Sequence, residues 1–80
     1  MNDEARLRWR CRRGTREMDL LLESFLDECY ARLSEDQQGT FAHLLEESDM
    51  DILSWVTGRS QPDNKDYRDI IAILQSRMKR

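Results

Sequence analysis

The side chains with the most chemistry to offer stand together near the amino end, where Arg12, Arg13, Gly14, Thr15, Arg16 and Glu17 are consecutive. Arginine gives planar, multi-donor contacts to carboxylates and carbonyls and stays protonated near neutral pH, so the cluster suits recognition and not proton transfer. Gly14 thins the chain at the centre, where another backbone can come close. Trp9 and Arg10 extend the set, because tryptophan and arginine are enriched among interface hot spots. The residues that would bind a partner are therefore Trp9, Arg10, Arg12, Arg13, Gly14, Arg16 and Glu17. The same stretch also has a structural use. Gly14 with positive φ ends one helix, Thr15 caps the next, and Glu17 in its first turn complements the positive dipole end. A local Arg13–Glu17 pair fits as well, although an exposed pair contributes only about 0.2–1 kcal/mol.

Other reactive residue types are isolated. His43 is the one histidine and has no suitably spaced cysteine, so it reads as solvated helix surface and neither a metal site nor a nucleophile pair is expected. Cys11 and Cys29 form no CxxC pair and are expected to be reduced and partly buried. Gly14, Gly39 and Gly58 are too far apart for a phosphate-cradling loop, so self-sufficient dinucleotide binding is not expected. No catalytic residue is assigned. Glu46, Glu47, Asp51 and Trp55 make a second polar surface, better explained by solvation, with Trp55 half exposed or packed on the core.

The elements that must position the Gly14 corner are helical. Met18, Leu21, Leu22, Phe25, Cys29 and Leu33 fall on one stripe of a long helix whose other face is acidic. Ser34 with Gln37 three residues on forms a capping box for a helix that buries Phe41, Leu44 and Leu45 and stops near Ser48. A short helix runs from Asp49 to Thr57, carrying Ile52, Leu53 and Val56 inward and ended by Gly58 in the left-handed conformation. Residues 59–64 hold the one proline and read as a loop. Tyr67, Ile70, Ile71, Leu74 and Met78 give the last helix its buried face, and Lys79 and Arg80 suit its negative end. The segment from Arg6 to Arg12 alternates like a strand, but nothing else in the chain offers it a partner strand. Helix is preferred there, with Leu7 and Cys11 on one face.

These elements make a small, single-domain, all-α bundle of five helices over residues 1–80. A chain of 80 residues buries only roughly 60–65% of the surface its unfolded form exposes, so a deep ligand cleft does not fit and binding is expected on an outer face. The net charge of −3 conceals a basic amino end and an acidic middle, which points to internal pairing or to an acidic partner. The acidic overall balance argues against nucleic acid. No stretch is long and apolar enough for a membrane helix, and Asp3 and Glu4 do not suit a transit peptide. A cytoplasmic monomer is the simplest reading.

Trp9, Cys11, the run Arg12-Arg13-Gly14 and the pair Arg16-Glu17 together resemble the SdhE family, whose motif RGxxE reads here Arg13-Gly14-Thr15-Arg16-Glu17. The resemblance continues through Met18-Asp19, Leu33-Ser34, Phe41, Leu44-Leu45-Glu46, the segment from Asp49 to Trp55 and the helix from Ile70 to Arg77. It implies a five-helix fold beginning with a helix. It also implies a non-enzymatic assembly factor with no stably bound cofactor, which helps FAD become joined through its 8α-methyl carbon to a histidine of the flavoprotein subunit of succinate dehydrogenase. In some bacteria fumarate reductase is a second client. The lack of a targeting extension suggests a bacterial member. The rival reading is a helical nucleic-acid-binding or antitoxin-like regulator that uses the arginine-rich end.

Overall fold

The computed structural model describes residues 3–78 and contains five α-helices, with no strand among them. They are α1 (Asp3–Arg10), α2 (Arg16–Glu28), α3 (Glu35–Leu44), α4 (Asp49–Val56) and α5 (Lys65–Met78). Lys79 and Arg80, expected to serve the end of α5, lie outside the described residues. The strand-like alternation at the amino end is resolved by the helical period. Leu7 and Cys11, four apart, both turn inward and are buried, while Trp9 between them faces out.

Leu22 and Phe25 of α2, Phe41 and Leu44 of α3, Ile52 of α4, and Ile70 and Leu74 of α5 are completely buried and close one continuous core. Leu53 and Met78, expected on the buried faces of α4 and α5, are instead each 46% exposed, because Ile52 and Val56 already fill the inward side of α4 and Ile70, Ile71 and Leu74 that of α5. Each such side chain contributes about 1.5–3 kcal/mol by leaving water. The rings of Phe25 and Phe41 sit 4.7 Å apart between centroids and tie α2 to α3.

Two helices are shorter than their apolar stripes suggest. The stripe through Leu33 predicts one long helix, yet α2 ends at Glu28 and Tyr30–Arg32 forms a tighter 3-10 turn. The Tyr30 carbonyl accepts from the Gln38 side chain at 2.9 Å, and its ring packs on Phe41, so the turn is held by α3 and not by continuation of α2. Arg77 of α5 seals this end, donating to Glu28 at 2.7 Å and reaching the Cys29 sulfur at 3.4 Å. The helix expected to run to about Ser48 stops instead at Leu44. The reason is that Ser48 belongs to the next helix: its backbone is extended and its hydroxyl accepts the Asp51 N–H at 3.2 Å.

The remaining punctuation follows the residue types. Ser34 and Gln37 form the expected reciprocal cap of α3. α4 closes in a Schellman arrangement, with Gly58 at φ +81° and the Arg59 N–H donating to the Ser54 carbonyl at 2.9 Å. Asn64 caps α5 by accepting the Asp66 N–H at 2.8 Å.

Candidate functional site

α1 and α2 meet at the corner formed by residues 11–15. Gly14 adopts φ +87°, a conformation that side chains of L residues rarely take, and thereby turns the chain from one helix into the next. A β-carbon built there would have nothing within 4 Å, so the glycine meets a backbone requirement and leaves open space outside it. Thr15 stands at the N-cap position of α2, but its hydroxyl makes no capping hydrogen bond. The acid that fastens the corner is Asp19, whose carboxylate accepts the Arg13 backbone N–H at 2.6 Å.

Arg13 does not pair with Glu17. Its guanidinium crosses to the turn between α3 and α4, donating to the Leu45 carbonyl at 2.5 Å and the Glu47 carbonyl at 3.3 Å, with its Nε 3.4 Å from the Asp49 carboxylate. The side chain is only 15% exposed. One residue therefore joins the starts of α2 and α4, through its backbone at one end and its guanidinium at the other.

The other members of the predicted set remain on the surface. Arg12, Gly14, Arg16 and Glu17 are exposed, and Arg12, Arg16 and Glu17 make no ion pair among the described residues. Trp9 is 72% exposed and borders an open cleft with Arg10, Arg12, Leu45 and Glu46. Arg10 is held loosely by Glu46 at 3.6 Å.

Acids on one side of α2 face the basic first helix. Asp27 pairs with Arg8, Asp19 holds Arg13, and Glu23 lies between them near Cys11. Burial pushes the Cys11 thiol up to about 12, with the Glu23 charge adding to the effect and Arg13 and Arg8 opposing it. A thiol so held is a small core hydrophobe and not a nucleophile. His43 is exposed, and among the described residues no group of three or more His, Cys, Asp or Glu side chains is placed to hold a metal ion. No helix among them is long and apolar enough to cross a membrane.

Residues 5–78 match the family model described as flavinator of succinate dehydrogenase. The chain belongs to that family. The FAD assembly factor SdhE of Idiomarina loihiensis is 38% identical over 79 residues, spanning 99% of this chain and 88% of the relative. The protein of the same name from Vibrio vulnificus is 39% identical over 69 residues, or 86% of this chain and 80% of the relative. That of Yersinia pestis is 33% identical over 79 residues, covering 99% and 90%.

Within this flavinator fold, the residues that sequence reasoning passed over are the acids that hold the corner. Asp19 reads only as part of an acidic face, and Asp49 only as the start of a helix. The one available signal was Ser48 with Asp51 three residues on, which marks the beginning of α4 and so the turn that Arg13 clasps. The second polar surface divides, with Glu46 and Asp51 exposed and Glu47 and Trp55 turned to internal support. Glu47 accepts from the Tyr67 hydroxyl at 3.1 Å, and Trp55 packs against the Tyr67 ring.

Proposed function

We propose that the chain is a non-enzymatic assembly factor that promotes covalent attachment of FAD to the flavoprotein subunit of succinate dehydrogenase, docking on that subunit through the corner at Gly14. The observation that carries this reading is the corner itself. It is a positive-φ glycine with free space around it, set among exposed Trp9, Arg12, Arg16 and Glu17, in a family described by its flavinating role. Its arginines cannot serve as acid or base near neutral pH, and it sets no nucleophile beside the one carboxylate, Glu17. Its contribution is orientation: holding the partner so that its histidine and the 8α-methyl of FAD meet in reacting geometry, an effect that can lower a barrier substantially.

Within the corner the roles divide. Gly14 admits the partner's backbone, and Arg12, Arg16 and Glu17 supply polar contacts beside the Trp9 ring. Arg10, loosely held by Glu46, lies at the edge. Arg13 serves the partner through the α3–α4 turn that it positions, since its own donors are engaged. The factor acts as a monomer, and the flavoprotein of fumarate reductase is its second client. The nucleic-acid alternative is disfavoured by the pairing of Arg8, Arg10 and Arg13 with Asp27, Glu46 and Asp49, which removes much of the basic stripe it needs.

The test is to mix the chain with apo flavoprotein subunit and FAD, denature, and measure flavin fluorescence retained on the polypeptide. The expected result is faster retention with the chain present. Equal retention with and without it defeats the proposal. The same assay with the fumarate reductase subunit decides the second client.

A further inference from the structure

Large apolar side chains left on the surface of a small monomer are ordinary when scattered, and informative when they surround one feature. Among the described residues the exposed ones are Trp9, Leu20, Met50, Leu53 and Met78. Three of them are placed by Arg13. Trp9 borders the same open cleft as Arg13. Leu20, 59% exposed, follows Asp19, which holds the Arg13 backbone, and Met50, 81% exposed, follows Asp49, which faces the Arg13 guanidinium. Asp19 and Asp49 thus lie at the two ends of a single arginine, and each has an exposed apolar neighbour in the next position of its helix.

The helical period extends the arrangement. Leu20 is three residues beyond Glu17 and four beyond Arg16, so all three share one outward face of α2. Met50 and Leu53 are three apart on α4 and line a shallow groove with Ser54, Thr57 and Arg59. None of these exposed positions is required by the core, which is already closed by inward residues of the same helices.

We infer that Leu20 and Met50, with Leu53 beside Met50, are apolar anchors flanking the Gly14 corner, and that they extend the docking surface for the flavoprotein subunit from α1 and α2 onto α4. This rests on the function proposed above and specifies the partner's chemistry: apolar patches on either side of a polar centre rich in carboxylates or carbonyls, which meets Arg12 and Arg16. The centre argues against a second copy of this chain as the occupant. A two-fold contact sets the same patch against itself, and at the corner the exposed carboxylates of Glu46 and Asp49 are already taken by Arg10 and Arg13, so that among the described residues the charges left without an ion pair there are the guanidiniums of Arg12 and Arg16 against the single carboxylate of Glu17.

The experiment measures affinity of the full chain for the apo flavoprotein subunit by calorimetry, with Leu20→Ser, Met50→Ser and the double variant, alongside Ala72→Ser on the exposed side of α5 as control. Each single variant is expected to weaken binding about tenfold and the double variant more, with the control at wild-type affinity. Melting temperatures should stay at the wild-type value, and flavinylation should recover at saturating helper. Wild-type affinity in all three variants, while Gly14→Arg abolishes binding, overturns the anchors and leaves the proposed function standing. A wild-type dimer in sedimentation that the same substitutions dissolve, with flavoprotein affinity intact, assigns the face to a second copy and overturns the inference. A wild-type chain that does not bind the subunit removes both readings.

Discussion

Arg13 and Asp49 meet across the bundle, with the guanidinium Nε 3.4 Å from the carboxylate, although they are far apart in the chain and belong to different helix junctions. The contact makes the corner at Gly14 and the start of α4 parts of one assembly. Because the same guanidinium caps the Leu45 and Glu47 carbonyls, the turn between α3 and α4 takes its shape from a residue of the motif.

Removal of that guanidinium should therefore be a stability event as well as a functional one. Arg13→Ala leaves two turn carbonyls without their donor and Asp49 without its cation, a loss of about 2 kcal/mol for groups of this kind. In a domain of this size that corresponds to a fall in Tm of roughly 10 °C. Arg13→Lys should recover only part of it, since an ammonium cannot span both carbonyls and the carboxylate in one plane. Thermal melts of the two variants check this. A Tm unchanged in Arg13→Ala shows that the clasp does not hold the turn.

At Gly14 backbone strain and partner access can be separated. Any L residue at φ +87° costs about 1 kcal/mol, and no neighbour within 4 Å distinguishes a small side chain from a large one. Gly14→Ala and Gly14→Arg should lose similar stability. Flavinylation should fall far more for arginine, which fills the space that the proposed docking leaves to the partner. Melting curves and retained flavin fluorescence, measured together, decide the matter. If the two variants lose activity in proportion to stability, Gly14 serves only the turn.

The sequence reveals those parts of the fold that depend on local periods and caps. Ser34 with Gln37, Gly58 after Val56, and the inward spacing of Ile70, Ile71 and Leu74 each act within a few residues and can be read directly. The errors occur where a distant residue decides. Leu33 continues the apolar stripe of α2, but the Tyr30 carbonyl is taken by Gln38 from the next helix, so the chain turns early. Arg13 has Glu17 one helical turn away, yet a cluster of carbonyls 32 and 34 positions later offers a partly buried site with several acceptors. A buried, multiply bonded guanidinium gains more than an exposed local pair, and that preference is visible only once the helices are packed. Exposure of Trp9, by contrast, was legible from its position opposite Leu7 and Cys11.

The buried thiol sets an alkaline limit. Cys11 is raised to about 12 in the folded chain, above its ordinary value of 9.0, so the folded state disfavours the thiolate. Its contribution to stability is complete below pH 9 and is lost as the pH rises toward 12, because the unfolded chain releases the proton first. By pH 10 the loss is about 1.4 kcal/mol relative to neutral pH. Urea melts at pH 8 and pH 10 should show this decrement in the wild type and a smaller one in Cys11→Val. Tyr67, also raised through burial and its bond to Glu47, contributes in the same direction in both proteins. Iodoacetamide at pH 8 should label half-buried Cys29 first and Cys11 only as the chain unfolds.

Glu17 provides the sharpest separation of docking from folding. It is exposed, pairs with no cation among the described residues, and reaches the fold only through the dipole of the first turn of α2. That interaction is worth about 0.3–1 kcal/mol at the surface, so Glu17→Ala should lower the Tm by only a few degrees. Asp19→Ala, which strips the acceptor from the Arg13 N–H, should lower it further, although it lies only two residues away. In flavinylation the order should reverse once each variant is assayed well below its own Tm, because Asp19 holds the Arg13 backbone inside the corner whereas, in the proposed docking, Glu17 presents a carboxylate to the partner. Glu17→Gln, which keeps the size and removes the charge, should resemble Glu17→Ala if the partner offers a cation there, and the wild type if it offers a neutral donor. Full activity in both Glu17 variants shows that the carboxylate makes no contact with the partner.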